Sequence, residues 1–76
     1  MNSMKNAINW QDMYDNLGWD LEDFAAGDIS GREMLRMLRK SRNPLSGPFD
    51  SLLRERGVSE LRNLARKALR RRGVSV

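Results

Sequence analysis

Arginine is the residue type in this sequence with the most capacity for chemistry, and its spacing is regular. The chain has eleven arginines and three lysines but no cysteine and no histidine. A guanidinium can hold a phosphate or a carboxylate with two hydrogen bonds, whereas a lysine acts as a point charge. In two stretches the basic residues recur at helical spacing, opposite an apolar stripe. We expect these residues to contact nucleic-acid phosphates or an acidic protein surface; they are Arg32, Arg36, Arg39, Lys40, Arg62, Arg66, Lys67, Arg70 and Arg71.

Enzymatic chemistry has few candidate residues. Without cysteine there is no thiol nucleophile and no disulfide, and without histidine the usual general base near neutral pH is missing. The carboxylates of Asp20, Glu22 and Asp23 lie at a predicted helix start, where the helix dipole favours negative charge. The stretch from Asp20 to Asp28 departs from a calcium-binding loop, because Ala25 stands where that loop needs glycine. We therefore predict a non-enzymatic protein that needs no cofactor and no metal.

The charge of the chain is divided unevenly along its length. Residues 1–31 carry one lysine and six acidic residues, whereas residues 32–76 carry thirteen basic and four acidic residues. The overall net charge of +4 thus combines an acidic first part with a strongly basic remainder. This division favours a binding protein whose basic part meets a negatively charged partner.

Five short helices are predicted from apolar spacing and from helix start and stop residues. The fold class is therefore all-α, a compact bundle in one domain of 76 residues. We expect a poorly ordered segment over residues 1–8 and a tail over residues 74–76. The predicted helix starts are Asn9, Asp20, Ser30, Pro48 and Ser59, and the predicted stops are Gly18, Gly27, Asn43, Gly57 and Gly73.

The third and last helices carry the regular basic faces. The third is predicted over about residues 31–41, after a capping box formed by Ser30 and Glu33. Residues 45–47 are predicted as a loop, and the last helix is predicted over about residues 60–72. If these two helices pack side by side, their outer faces would form one continuous positive surface.

The junction between the fourth and last helices resembles the turn of helix-turn-helix motifs. The residues that carry the likeness are Gly57-Val58-Ser59. The sequence departs from the motif where Leu53 replaces a small residue and where Asn63 and Arg66 replace apolar ones. The resemblance implies DNA binding through the last helix in the major groove, but non-specific phosphate contacts, or binding of RNA, stay open as alternatives.

Trp19 is the candidate anchor of a protein interface. Placed directly after Gly18, it is predicted to fold back onto the first helix, and the alternative is an exposed side chain that binds a partner.

Two functions follow from the sequence as a whole. The first is a small cytoplasmic regulator that binds DNA or RNA. The alternative is a protein–protein interaction module that uses its charge asymmetry and can form a homodimer. Membrane attachment is not expected, because the last helix offers only leucine and alanine on its apolar face.

Overall fold

The computed structural model describes residues 8–76 and contains five α-helices in this range. No strand is present among these residues, so the fold is an all-α bundle, as predicted. The radius of gyration is 11.4 Å. The helices are α1 (Trp10–Leu17), α2 (Trp19–Ala26), α3 (Gly31–Lys40), α4 (Ser46–Arg56) and α5 (Val58–Arg71).

Two predicted helix caps are confirmed by hydrogen bonds. The side-chain oxygen of Asn9 accepts hydrogen bonds from the backbone N–H groups of Gln11 and Asp12, at 3.1 and 3.2 Å. The Ser30 Oγ accepts one from the N–H of Glu33, at 3.0 Å. Each cap binds N–H groups that have no partner within the helix, which fixes where α1 and α3 begin.

Two other predicted caps are wrong. Helix α2 begins one residue before Asp20, and α5 begins one residue before Ser59. In both places a single glycine joins two helices, Gly18 with φ 54° and Gly57 with φ 86°. Because a glycine adopts positive φ easily, the chain changes direction within one residue and needs no side-chain cap. Helix α4 likewise begins earlier than predicted, since residues 46 and 47 belong to it.

Helix α5 lies at the centre of the bundle. It packs against α1, α2 and α4, whereas α3 packs against α4 and α2. Two edge-to-face aromatic contacts link α1, α2 and α4. The ring centroids of Phe24 and Phe49 are 5.6 Å apart, and those of Trp10 and Phe49 are 6.5 Å apart. The largest fully buried side chains are Phe24, Phe49, Met13, Leu21, Met34, Leu38, Leu61 and Leu69.

A close approach at Gly31 sets the position of α3. A Cβ atom on Gly31 would lie 3.0 Å from Leu53 Cδ1 and 3.2 Å from Val58 Cγ2. The first turn of α3 therefore sits against the junction of α4 and α5, while the rest of α3 lies beside α4. The condition for one continuous positive surface is not met, because α3 and α5 do not pack along each other.

Ile8 and Val74, near the two ends of the described chain, pack on the core. Ile8 is buried, and the rest of the segment predicted to be poorly ordered lies outside the described residues. At the other end the N–H of Gly73 bonds to the Arg70 carbonyl and that of Val74 to the Leu69 carbonyl, both at 3.0 Å. This pair of bonds is a Schellman motif, and it places Val74 against the core.

Candidate nucleic-acid interface

The thirteen basic residues of the described chain fall into two groups. Seven have a partner within the chain, either a carboxylate or a backbone carbonyl: Arg36, Arg39, Arg54, Arg56, Arg62, Arg66 and Arg72. The other six are exposed and have no such partner among residues 8–76. They form the α3 cluster, which is Arg32, Lys40 and Arg42, and the α5 cluster, which is Lys67, Arg70 and Arg71.

Arg62 and Arg66, two of the predicted phosphate contacts, bind the C-terminal end of α2. The Nη1 of Arg62 donates to the carbonyls of Phe24 and Ile29, the latter at 3.0 Å, and Nε of Arg66 donates to the Ala25 carbonyl at 2.9 Å. The last carbonyls of a helix have no partner within it. The Phe24 carbonyl accepts the N–H of Gly27 at 3.1 Å, and the two guanidinium groups add further donors to this helix end. The Arg62 guanidinium also lies 4.8 Å from the centroid of the Phe24 ring. Both side chains are half-buried, and Nη1 of Arg66 also donates to the exposed Asn63 Oδ1 at 2.9 Å.

The predicted residues of α3 remain on the surface. Arg36 forms an ion pair with Glu33 at 3.1 Å, and Arg39 pairs with Asp50 at 3.4 Å. Exposed pairs of this kind contribute only about 0–1 kcal/mol, so a phosphate can replace the carboxylate at little cost. Arg32 and Lys40 lie on the same exposed face.

The α5 cluster occupies the last two turns of its helix. Lys67 and Arg71 line a groove of about 290 Å³ whose apolar lining includes Trp10 and Leu64. The neighbouring Arg72 is held by the fold, because it pairs with Asp15 and lies 5.4 Å from the centroid of the Tyr14 ring. At the end of α5, cations without a partner among the described residues, Arg70 and Arg71, are therefore followed directly by the ion-paired Arg72.

Arg42 is an exposed cation outside the set of predicted contacts. It is the one residue other than glycine with a positive φ, 57°, in the described chain. Its backbone closes α3 in the position that glycine usually takes, since the Arg42 N–H bonds to the Arg39 carbonyl at 3.0 Å. A signal for it exists in the sequence, because Arg42 directly follows the predicted helix over residues 31–41 and no glycine stands there to end that helix.

Trp19 is 82% exposed, so the predicted packing of its side chain onto the first helix is wrong. Because α2 begins at Trp19 itself, the side chain projects from the helix surface rather than returning to α1. Its neighbours on this helix include Asp20 and Asp23, which have no ion-pair partner among the described residues.

The acidic residues without a basic partner lie in another part of the chain. Among residues 8–76, five carboxylates form neither an ion pair nor a side-chain hydrogen bond: Asp12, Asp20, Asp23, Asp28 and Glu55. Four of them precede α3. Within residues 8–76, the one ion pair that joins this acidic part to the basic remainder is Asp15 with Arg72. The free charges are thus segregated along the chain.

One titratable group has a perturbed pKa. The Tyr14 hydroxyl donates a hydrogen bond to Glu22 Oε2 at 2.8 Å. This bond raises the pKa of Tyr14 above 10.0, with partial burial and the charge of Glu22 acting in the same direction, while the charge of Arg72 lowers it. The pair holds α1 to α2 and lies outside the two basic clusters.

Other kinds of site are not evident in the described part of the chain. No group of three or more acidic side chains there is arranged to hold a metal ion, and no described helix is long and apolar enough to cross a membrane. Comparison of the whole chain with protein-family models, curated proteins and solved structures gives no match.

Proposed function

We propose that this protein binds nucleic-acid phosphates through the α3 and α5 clusters, with the ion-paired Arg36 and Arg39 as additional contacts. The observation that carries the proposal is the presence of six exposed cations with neither a carboxylate nor a carbonyl partner among residues 8–76. A polyanion that meets these groups releases its condensed counterions, and this release drives binding.

Separation of the free charges supports the same function. The carboxylates without a basic partner precede α3, with the exception of Glu55, and none of them forms an ion pair with the α3 or α5 cluster. Asp20 alone among them lines a groove together with Lys40 and Arg42. Arg62 and Arg66 contribute to binding indirectly in this proposal, because they hold the end of α2 against α5. Phosphate contacts of this kind position a nucleic acid without reading its bases, so they contribute no sequence preference of their own.

A salt titration of nucleic-acid binding tests the proposal. We compare the wild type with a Lys67→Ala, Arg70→Ala double variant, using a fluorescent duplex and a fluorescent single strand. The double variant should bind more than about tenfold more weakly near 0.1 M salt, and its plot of log K against log salt should be shallower by about 1.4 to 1.8.

The matched control is an Arg54→Ala, Arg56→Ala double variant. It loses the same two charges, but from arginines that pair with Asp50 and Glu60. Its affinity should stay within about threefold of the wild type, since the remaining difference reflects only the general field of the protein. Equal losses in both variants, or no binding by the wild type at low salt, would overturn the proposal.

A protein partner is the second candidate function, and the exposure of Trp19 favours it. A large aromatic side chain that is 82% exposed beside free carboxylates suits an interface with a basic protein surface. Capture from a lysate with and without nuclease separates the two functions. A protein retained after nuclease treatment, and lost on Trp19→Ala substitution, would support this second candidate. Size-exclusion chromatography at low and high salt tests whether the protein forms a homodimer and whether that self-association depends on charge.

A further inference from the structure

A groove lies between the junction of α1 with α2 and the C-terminal end of α3. Its volume is about 570 Å³, and the apolar part of its lining includes Leu17, Met37 and Pro44. Lys40 and Arg42, both from the α3 cluster, line it as well. We call it the α3 groove. It is larger than the groove beside α5 and adjoins the end of the exposed basic face.

Three charged side chains line the α3 groove without an ion-pair partner among the described residues. They are two cations, Lys40 and Arg42, and one carboxylate, Asp20. The neutral polar residues of the groove each make one hydrogen bond within the chain: Asn16 donates to the Asp12 carbonyl at 2.8 Å, the Asn43 oxygen accepts from the Leu45 N–H at 2.9 Å, and the Ser41 hydroxyl donates to the Leu38 carbonyl at 3.2 Å. A ligand that fits the three charged side chains carries an anionic group and N–H donors on one molecule.

The backbone of Arg42 indicates that its side chain is needed in the groove. Four other residues of the described chain have positive φ, and all four are glycines: Gly18, Gly27, Gly57 and Gly73. An L-residue in this conformation is less stable than glycine, because its Cβ comes close to the following carbonyl oxygen. An arginine at such a position therefore reduces stability, and the structure offers no internal partner for its guanidinium among the described residues.

We propose that the α3 groove binds one unpaired nucleotide, so that the preferred ligand of this protein is a single-stranded nucleic acid. The phosphate lies on Lys40 and Arg42, and the base packs against Leu17 and Met37. The Asp20 carboxylate accepts N–H bonds from the base, and guanine fits best because two N–H donors lie side by side on its edge. This inference rests on the proposed function and specifies the class of nucleic acid. A paired base cannot enter the groove without leaving its duplex, which costs a few kcal/mol.

An Arg42→Gly variant tests the proposal, because it gives opposite changes in stability and binding. Thermal unfolding followed by circular dichroism should show a Tm higher by about 4 °C or more, since glycine relieves the strained backbone. Binding to a short oligothymidylate strand containing two guanines should weaken about tenfold near 0.1 M salt, whereas duplex binding should weaken only about threefold, as expected for one lost phosphate contact. Arg42→Lys keeps the charge, so it should restore most of the single-strand affinity.

Two further variants complete the experiment. Arg54→Ala removes one exposed charge outside the groove, so it should leave single-strand affinity within about twofold. Asp20→Asn should reduce the preference for the guanine-containing strand over plain oligothymidylate. It should not weaken binding to the plain strand, because the substitution removes a negative charge.

The possible results separate this inference from the proposed function. No binding of any nucleic acid by the wild type overturns both. Binding that is equal for single strand and duplex, or that falls equally for both on Arg42→Gly substitution, overturns the groove alone. A lower Tm for Arg42→Gly would contradict the strained conformation from which the inference starts. Weaker single-strand binding together with a raised Tm would support it.

Discussion

Helices α3 and α5 carry similar basic faces in the sequence but differ in how those faces are used. On both helices, arginines follow each other at four-residue steps opposite an apolar stripe. In α5, Arg62 and Arg66 turn toward α2 and bind its terminal carbonyls. In α3, Arg32 and Arg36 remain exposed, and the latter has only a surface carboxylate as its partner. Equal charge patterns therefore do not imply equal access to a ligand.

The difference arises from where each helix lies in the bundle. Helix α5 packs against three others, and the C-terminal end of α2 meets its side. The carbonyls at that end need donors, and an arginine stem can cover apolar surface while its head reaches them. Helix α3 lies at the edge of the bundle, beside α4 and α2, so its outer face meets no helix end.

The largest effect should come from removing Arg62. An Arg62→Ala variant leaves the carbonyls of Phe24 and Ile29 without this donor and removes the cation from the Phe24 ring. We expect a loss of about 2 kcal/mol in the free energy of unfolding, measured by urea denaturation with circular dichroism. A loss this large would lower Tm by roughly 8–16 °C in a domain of this size.

Arg36→Ala is the control for the same comparison. It removes an exposed arginine whose partner is Glu33, so the change in unfolding free energy should be within about 0.5 kcal/mol. If Arg36→Ala and Arg62→Ala lowered the free energy of unfolding by similar amounts, the basic face of α5 would be no more engaged in the fold than that of α3.

A smaller effect is expected at the end of α5, where Arg71 and Arg72 are neighbours. Arg72→Ala breaks the pair with Asp15 and the contact with Tyr14, and we expect it to lower the free energy of unfolding by about 0.5–1 kcal/mol. Added salt should diminish the difference from the wild type, because both groups are exposed. Arg71→Ala should be nearly neutral in stability but should weaken nucleic-acid binding. If Arg71→Ala lowered stability and Arg72→Ala weakened nucleic-acid binding instead, the distinction between unpaired and ion-paired cations at the end of α5 would be wrong.

The smallest effect is a shift in the titration of Tyr14, the one tyrosine of the chain. Its absorbance against pH reports the pKa directly. Glu22→Gln should lower this pKa toward 10.0, because the charged acceptor is lost, and Arg72→Ala should raise it further, because the lowering charge is lost. Arg71→Ala serves as the control and should change it less than Arg72→Ala.

The raised pKa also sets the sign of a pH dependence. Since the pKa of Tyr14 is higher in the folded state, its contribution to stability is fully present below pH 10.0 and is lost as pH rises through the folded-state pKa. The difference in Tm between the wild type and Tyr14→Phe should therefore shrink in that alkaline range. A difference that grows there would contradict the hydrogen bond to Glu22.

The helices and much of the apolar core could be predicted from the sequence because their causes are local. Side-chain caps at Asn9 and Ser30 bind N–H groups two or three residues away. The one-residue junctions at Gly18 and Gly57 were not predicted, since Asp20 and Ser59 also had residue types that suit a cap. Where two neighbouring residues are both suited to begin a helix, the packing of the two adjoining helices decides which one does.

The candidate interface could be predicted only in part. Spacing identified the exposed residues of both clusters apart from Arg42, whose left-handed backbone depends on how α3 ends against the next loop. The residues R-G-V-S occur twice, yet Gly57 leads directly into α5 whereas Gly73 closes it. Identical short sequences therefore adopt different structures in different tertiary surroundings.

The sequence by itself determined that this protein is a bundle of short amphipathic helices with an acidic first part and a basic remainder. Hydrophobic periodicity and charge are properties of residue order, so they can be read without coordinates. Only the tertiary structure decided which cations are free. The carbonyls that engage Arg62 and Arg66 lie 33 to 41 residues earlier in the chain, and no local pattern encodes a contact at that separation. The fold brings these groups together because the end of α2 needs hydrogen-bond donors and α5 passes beside it.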